Sequence, residues 1–209
     1  MDAWFYELFS DFALNEKLLT ALMTKVMELK MAYWEKALAE VGDNVDVIGE
    51  ADDFAGQLRL LISPSMYRRI AKPLHKKLFD FIHARTKAKI FFHSCGAIRP
   101  VIPDLVEIGV DILNPIQVSA AGMDTAELKR EFGKDIVFWG GGVDTQRVLG
   151  DGTSQEVRAD VRRRIEDLAP GGGFVFATVH NIQGNVPPEN IMAMWEILQQ
   201  YGHYHDNTL

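Results

Sequence analysis

Residues 89–100 read KIFFHSCGAIRP, and in them His93 stands two positions before Cys95, the only cysteine of the chain. Alternate residues of a strand share a face, so an imidazole and a thiol are presented side by side. Three chemistries fit the pair. Imidazole and thiolate are good zinc ligands, although a tetrahedral site needs more than two. A thiol nucleophile is the second, but Cys-His catalysis draws its histidine from elsewhere in the chain and adds an orienting third group and an oxyanion hole, none of which is signalled here. The third is the polar rim of a core strand. A second concentration of chemistry is acidic: Glu50, Asp52 and Asp53 follow another apolar run. Crowded carboxylates suit acid–base work or ligation of a cation, and their plain alternative is a solvated rim. Asn114, Gln117, Asp144 and His180 complete the candidates. Asp144 follows the run Gly140-Gly141-Gly142, where backbone can approach a ligand closely, or it closes an Asx turn. His180 follows the last apolar run, where loops so often carry function, or it bonds to its own loop backbone.

These residues sit at the ends of five short apolar runs rich in Val, Ile and Phe: VDVIG from 45, AKIFF from 88, VDILN from 110, DIVFWG from 135 and FVFAT from 174. Each reads as a strand buried on both faces, and segments of helical pattern lie between them, with start signals at Ser63-Pro64 and Pro187-Pro188-Glu189. Ahead of them, Leu18, Leu22, Val26, Leu29, Tyr33 and Ala37 recur at helical spacing and predict a long amphipathic helix ending at Gly42. Alternating strands and helices with continuous apolar strands predict an α/β fold with a parallel sheet, either doubly wound or a (β/α) barrel. Every run leads into polar residues at its carboxyl end, and only a barrel aims all of those ends at one mouth.

The 209 residues are 47% hydrophobic and carry a formal charge of −7, which predicts one globular domain over 1–209, with a helical leader at 1–42 and a disordered polar tail at 203–209 that holds His203 and His205. The acidic balance and scattered basic residues argue against nucleic acid, and no apolar run has membrane-spanning length. One cysteine and a start without a basic-then-apolar order make the cytoplasm the expected compartment.

Four stretches in order, ADDFAGQLRLLISPSMYRRIAKPLHKKL, IFFHSCGAIRPVIPDLVEIGVDILNPIQ, FWGGGVDTQ and GGGFVFATVHNIQGNVPPENIMAMWEIL, resemble the uroporphyrinogen decarboxylase family from roughly Val45 to Tyr201. The resemblance implies a (β/α)8 TIM barrel of which this chain corresponds to the carboxyl-terminal portion, about strands four to eight. It also implies two enzymatic branches. In the zinc-dependent branch, which moves a methyl group from a corrinoid to a thiol, the His-x-Cys element begins a metal site that a cysteine near the last strand completes. Here that stretch is ATVHNIQGN, without cysteine, so the implied metal set is His93, Cys95 and His180, with zinc as cofactor and a corrinoid protein as methyl donor. In the decarboxylase branch, which is cofactor-free and acts on a tetrapyrrole, His180 falls where a Gly-His-Gly element lines the pocket. The implied catalytic residues are Asp52, Asp53 and His180. Asn114 and Gln117 match the family's NP-Q segment and, with Asp144, are the implied cofactor-binding residues. The implied partners are a small thiol or tetrapyrrole, a corrinoid protein, and a second copy or companion chain completing the barrel. A non-catalytic partial barrel is the third expectation.

Overall fold

The computed structural model describes residues 10–12 and 14–204. Helix α1 (Glu16–Val41) runs through 26 residues that contain neither glycine nor proline, and it stops at Gly42, whose N–H returns to the Leu38 carbonyl. Five strands follow: β1 (Val47–Ala51), β2 (Lys89–His93), β3 (Ile112–Asn114), β4 (Val137–Trp139) and β5 (Phe174–Val175). Between β1 and β2 lies one continuous helical run, made of α2 (Pro64–Met66), a π-helical segment (Tyr67–Ala71) and α3 (Lys72–His83). Then α4 (Ile102–Glu107), α5 (Thr125–Phe132) and α6 (Ser154–Leu168) carry the chain from strand to strand, and α7 (Pro188–Tyr201) follows β5. The start signals act as expected: the Ser63 hydroxyl accepts from the Met66 N–H at 3.2 Å, and Pro188 opens α7. All pairings are parallel, and the sheet order is β1-β2-β3-β4-β5. Strict sequence order is what an arc of a barrel requires, whereas a doubly wound sheet reverses its order at a switch point.

Two expectations about burial need correction. The strands are not all buried on both faces: in β1, Ile48 and Glu50 face the helices and are buried, while Val47, Gly49 and Ala51 are exposed. Among the described residues β1 and β5 are also the edges of the sheet, with nothing paired beyond them. In α1 the stripe Leu18, Leu22, Val26, Leu29 and Tyr33 faces outward, with Leu18 56% and Leu29 62% exposed. The face that packs carries Leu19, Met27 and Leu38, with Met23, Met31 and Trp34 at its margins. Apolar residues recur at helical spacing on both faces, and Trp34 helps to fix the inner one because its indole N–H reaches Glu50.

The core lies between sheet and helices. Ile90 and Phe92 of β2, Leu113 of β3 and Phe138 of β4 pack there with Leu78, Phe79, Ile82, Leu105, Leu128 and Val161 from the helices. At the far end Tyr204 Oη donates to the Phe174 carbonyl of β5, while 205–209, His205 included, lie outside the described residues.

Candidate metal centre

Strand register assembles the site. Ala51 of β1 pairs with His93 of β2, so two residues further along each chain Asp53 comes opposite Cys95, on the face that His93 shares. The other neighbour of His93 is Asn114 of β3. One oxygen of Asp53, one ring nitrogen of His93 and Cys95 Sγ lie within 4.8 Å of one another. Cys95 Sγ is 3.5 Å from His93 Nε2, and the Cys95 N–H donates to Asp53 Oδ1 at 2.7 Å.

The histidine tautomer follows from its neighbours. Asn114 Nδ2 donates to the Trp139 carbonyl at 2.9 Å, which leaves Asn114 Oδ1 facing His93 Nδ1 at 2.6 Å. An amide oxygen only accepts, so Nδ1 carries the proton and the Nε2 lone pair points at Cys95 and Asp53. Metal-binding histidines are oriented in this way by a partner on the opposite nitrogen. Burial, and then the negative charge of Asp53, push the Cys95 thiol above its ordinary value, so without a cation nearby the sulfur keeps its proton and donates it to Nε2.

A sharp turn after Cys95 holds the arrangement. Gly96 has φ of 92°, and a Cβ there would come within 2.6 Å of the Ala55 carbonyl oxygen, so only glycine fits. The Gly96 N–H donates to Gln117 Oε1 at 2.7 Å, Gln117 Nε2 to Gln57 Oε1 at 2.8 Å, and Gln57 Nε2 to the Ser119 carbonyl at 2.6 Å. Gln117 is therefore tied to the loops around the cysteine. Below the cluster, Phe91 and Trp139 meet edge to face at 5.4 Å and floor the inner side of the sheet with apolar surface.

The acidic group is divided. Glu50 faces the helices, accepting from Lys30 Nζ at 2.7 Å and from Trp34 Nε1. Asp52 also turns that way, and its Oδ2 lies 2.9 Å from Nε2 of the buried His75. Burial pulls the Asp52 carboxyl upward, but the His75 hydrogen bond, helped by the positive charge of Lys30, outweighs it and holds it below its ordinary value. Only Asp53 joins the cluster, because neighbours along a strand point to opposite faces. His180 does not join it: it is exposed, and its carbonyl accepts from Thr178 Oγ1 at 2.6 Å. Asp53 takes the place the sequence reading gave to His180. Asp144 Oδ1 accepts from the N–H groups of Gln146 and Arg147, an Asx turn. Ile116 and Phe176 fill the space a Cβ would need at Gly141 and Gly142, so these glycines let the loop close on its neighbours. Gln57 and His75 went unnoticed in the sequence. A histidine within the apolar stripe of α3 was the one signal for His75, and nothing distinguishes Gln57.

The sequence model of the uroporphyrinogen decarboxylase (URO-D) family matches residues 4–201. A uroporphyrinogen decarboxylase of Thermus thermophilus is 26% identical over 191 residues, covering 89% of this chain and 50% of that protein. Its counterpart from a second strain of the same species is 25% identical over 191 residues, with the same coverage. Among solved structures, a methyltransferase from Methanosarcina mazei superposes with a TM-score of 0.71 at 20% identity, covering 94% of this chain and 53% of that one. The chain spans about half the length of the curated relatives it matches.

Proposed function

The chain belongs to the uroporphyrinogen decarboxylase family, and we propose that it carries the metal half of a zinc-dependent methyltransferase that moves a methyl group from a corrinoid to a thiol. The observation that carries this reading is the convergence of Asp53, His93 Nε2 and Cys95 Sγ, with the other nitrogen of His93 tied to Asn114. The donor set fits zinc. Three protein ligands of oxygen, nitrogen and sulfur leave a fourth position for substrate, as in catalytic zinc sites. The 3.5 Å between Nε2 and Sγ matches the edge of about 3.5 Å expected for a tetrahedron with bonds of ~2.0 Å to nitrogen and ~2.3 Å to sulfur. Zinc held there would lower the pKa of a thiol substrate and so supply a thiolate at neutral pH.

The chain's own residues prepare that chemistry. On binding the ion Cys95 would release its proton to solvent and Asp53 would contribute negative charge, while Asn114 keeps the imidazole lone pair aimed inward. Methyl transfer asks little more of the protein at the reacting atom, whereas decarboxylation asks for a proton donor and a cradle for several carboxylates. Arg99, after β2, is already paired with Glu127 and Glu131. Among the described residues the sheet is unpaired beyond β1 and the outer stripe of α1 is bare, so in this reading a companion chain continues the sheet past β1 and lays a helix on α1, with a corrinoid protein presenting the methyl group at the mouth.

The two Thermus relatives supply a second reading, decarboxylation of uroporphyrinogen. One pair of assays separates the two. Protein purified without chelators is expected to hold close to one equivalent of zinc, lost in Cys95→Ser, and with its companion to demethylate a methylated corrinoid in the presence of a small thiol, an activity abolished in Cys95→Ala. Formation of coproporphyrinogen by a fully active Cys95→Ala variant would overturn the metal reading.

A further inference from the structure

Behind the metal cluster, on the opposite side of β1, lies a group that the proposed chemistry does not touch. His75 is 3% exposed on α3, and Phe54, Phe79 and Phe92 surround its ring with centroids 5.4–6.0 Å away. The hydroxyl of Tyr67, a fully buried side chain placed by the π-helical segment, lies 3.4 Å from His75 Nδ1 and has no other partner among the described residues. A buried tyrosine donates its proton where it can, so Nδ1 accepts and Nε2–H points at Asp52 Oδ2, 2.9 Å away. Asp52 is thereby fixed at two points, its side chain by His75 and its N–H by the His93 carbonyl at 3.1 Å.

The next residue is Asp53. Its peptide leaves a segment held on the helix side, and its side chain must emerge on the opposite face, where Cys95 and His93 stand. β1 ends at Ala51 and the ladder reaches one residue further, to the Asp52 N–H; beyond it Asp53 is held from the far side by the Cys95 N–H on its Oδ1 at 2.7 Å, and from its own chain by Asp52. We propose that His75 is a positioning residue for the metal centre: through Asp52 it sets the direction from which Asp53 reaches the ion. The inference rests on the metal reading above. Tyr67 fixes the tautomer, His75 holds Asp52, and Asp53 is aimed as a result, in a chain that begins in the helix layer and ends at the metal. Outer groups of this kind change metal affinity by about 10–100-fold when removed.

The test measures zinc affinity by competition with a chelator, and the near-ultraviolet sulfur-to-metal absorption of the cobalt(II)-loaded protein, in wild type, His75→Ala, Asp52→Ala, Asp52→Asn and Phe79→Leu. Asp52 is half exposed, with a side-chain exposure of 50%, so Asp52→Ala interrupts the chain without opening the core and decides the question even if His75→Ala does not fold. His75→Ala and Asp52→Ala are expected to weaken zinc at least tenfold and to shift the cobalt spectrum. Asp52→Asn still accepts from Nε2–H and is expected to stay within about threefold of wild type. Phe79→Leu, which loosens the same aromatic box without touching the hydrogen bond, is expected to lower thermal stability and leave affinity unchanged. Unchanged affinity in Asp52→Ala, or an equal loss in Phe79→Leu, overturns the positioning role while the metal reading stands. A wild-type protein that takes up neither metal overturns both.

Discussion

At the scale of single residues, the site depends on positions where only one side chain serves. Gly96 is the clearest. Its positive φ and the Ala55 carbonyl crowding its Cβ position allow only glycine, and the same turn carries Cys95 on one side and the Gln117 hydrogen bond on the other. Gly96→Ala is expected to cost roughly 2 kcal/mol or more of stability, at the upper end of what a strained backbone stores, and to lower zinc uptake with it. Urea unfolding and metal analysis of the one variant check both, and stability within about 0.5 kcal/mol of wild type, an ordinary surface effect, would contradict the argument. The His93-x-Cys95 pair, Asp53 and Asn114 were all legible as polar residues at strand ends. That Asp53 and not His180 completes the cluster was not, because the choice turns on which face of β1 each carboxylate takes and on where the last loop lies.

At the scale of elements, α4 is tied to the helical run before it through two carboxylates, the exposed Glu107, which meets Lys72 at 2.6 Å, and the buried Asp104. Asp104 is buried and meets Arg68 at 2.9 Å and Lys72 at 2.8 Å. Burial alone would raise its pKa, but the hydrogen bonds from Arg68 and Lys72 prevail and hold it below its ordinary value of 3.8. A carboxyl depressed by folding contributes stability in full above its unfolded value, and loses it as pH falls through the lower folded value. The unfolding midpoint in urea is therefore expected to hold steady down to about pH 4 and to fall below that, as linkage to a carboxylate requires. Asp104→Asn should be less stable at neutral pH and show a shallower acid loss, and an acid slope identical to wild type would remove Asp104 as a cause. The strands and helices themselves were readable, since each apolar run is bounded by glycine, proline or polar residues. The facing of α1 was not, because its sequence carries two apolar stripes and only packing against α3 and the bonds to Glu50 of β1 select one.

For the whole molecule, the described residues leave two surfaces uncovered, the edge of β1 and the outer stripe of α1, joined in the chain by Gly42–Asn44. Unpaired strand edges and exposed apolar patches both recruit partners. Alone, the protein is expected to self-associate in sedimentation experiments as concentration rises, and Leu22→Lys combined with Leu29→Lys should reduce that association. A monodisperse monomer at high concentration would show that these surfaces need no cover.

By itself the sequence determined the α/β class, the five strands with their order of helices, and the pair His93 and Cys95 on one face. These are properties of local periodicity and of the i, i+2 alternation, which any strand obeys wherever it lies. Tertiary structure alone decided the rest: the unreversed strand order, which is consistent with an arc of a barrel and not with a doubly wound sheet, the register that sets Asp53 beside Cys95 and Asn114 beside His93, the turning of Asp52 toward a buried histidine, and the inner face of α1. Each of these depends on which element lies next to which, and pairing between segments distant in the chain leaves no periodic trace within either one.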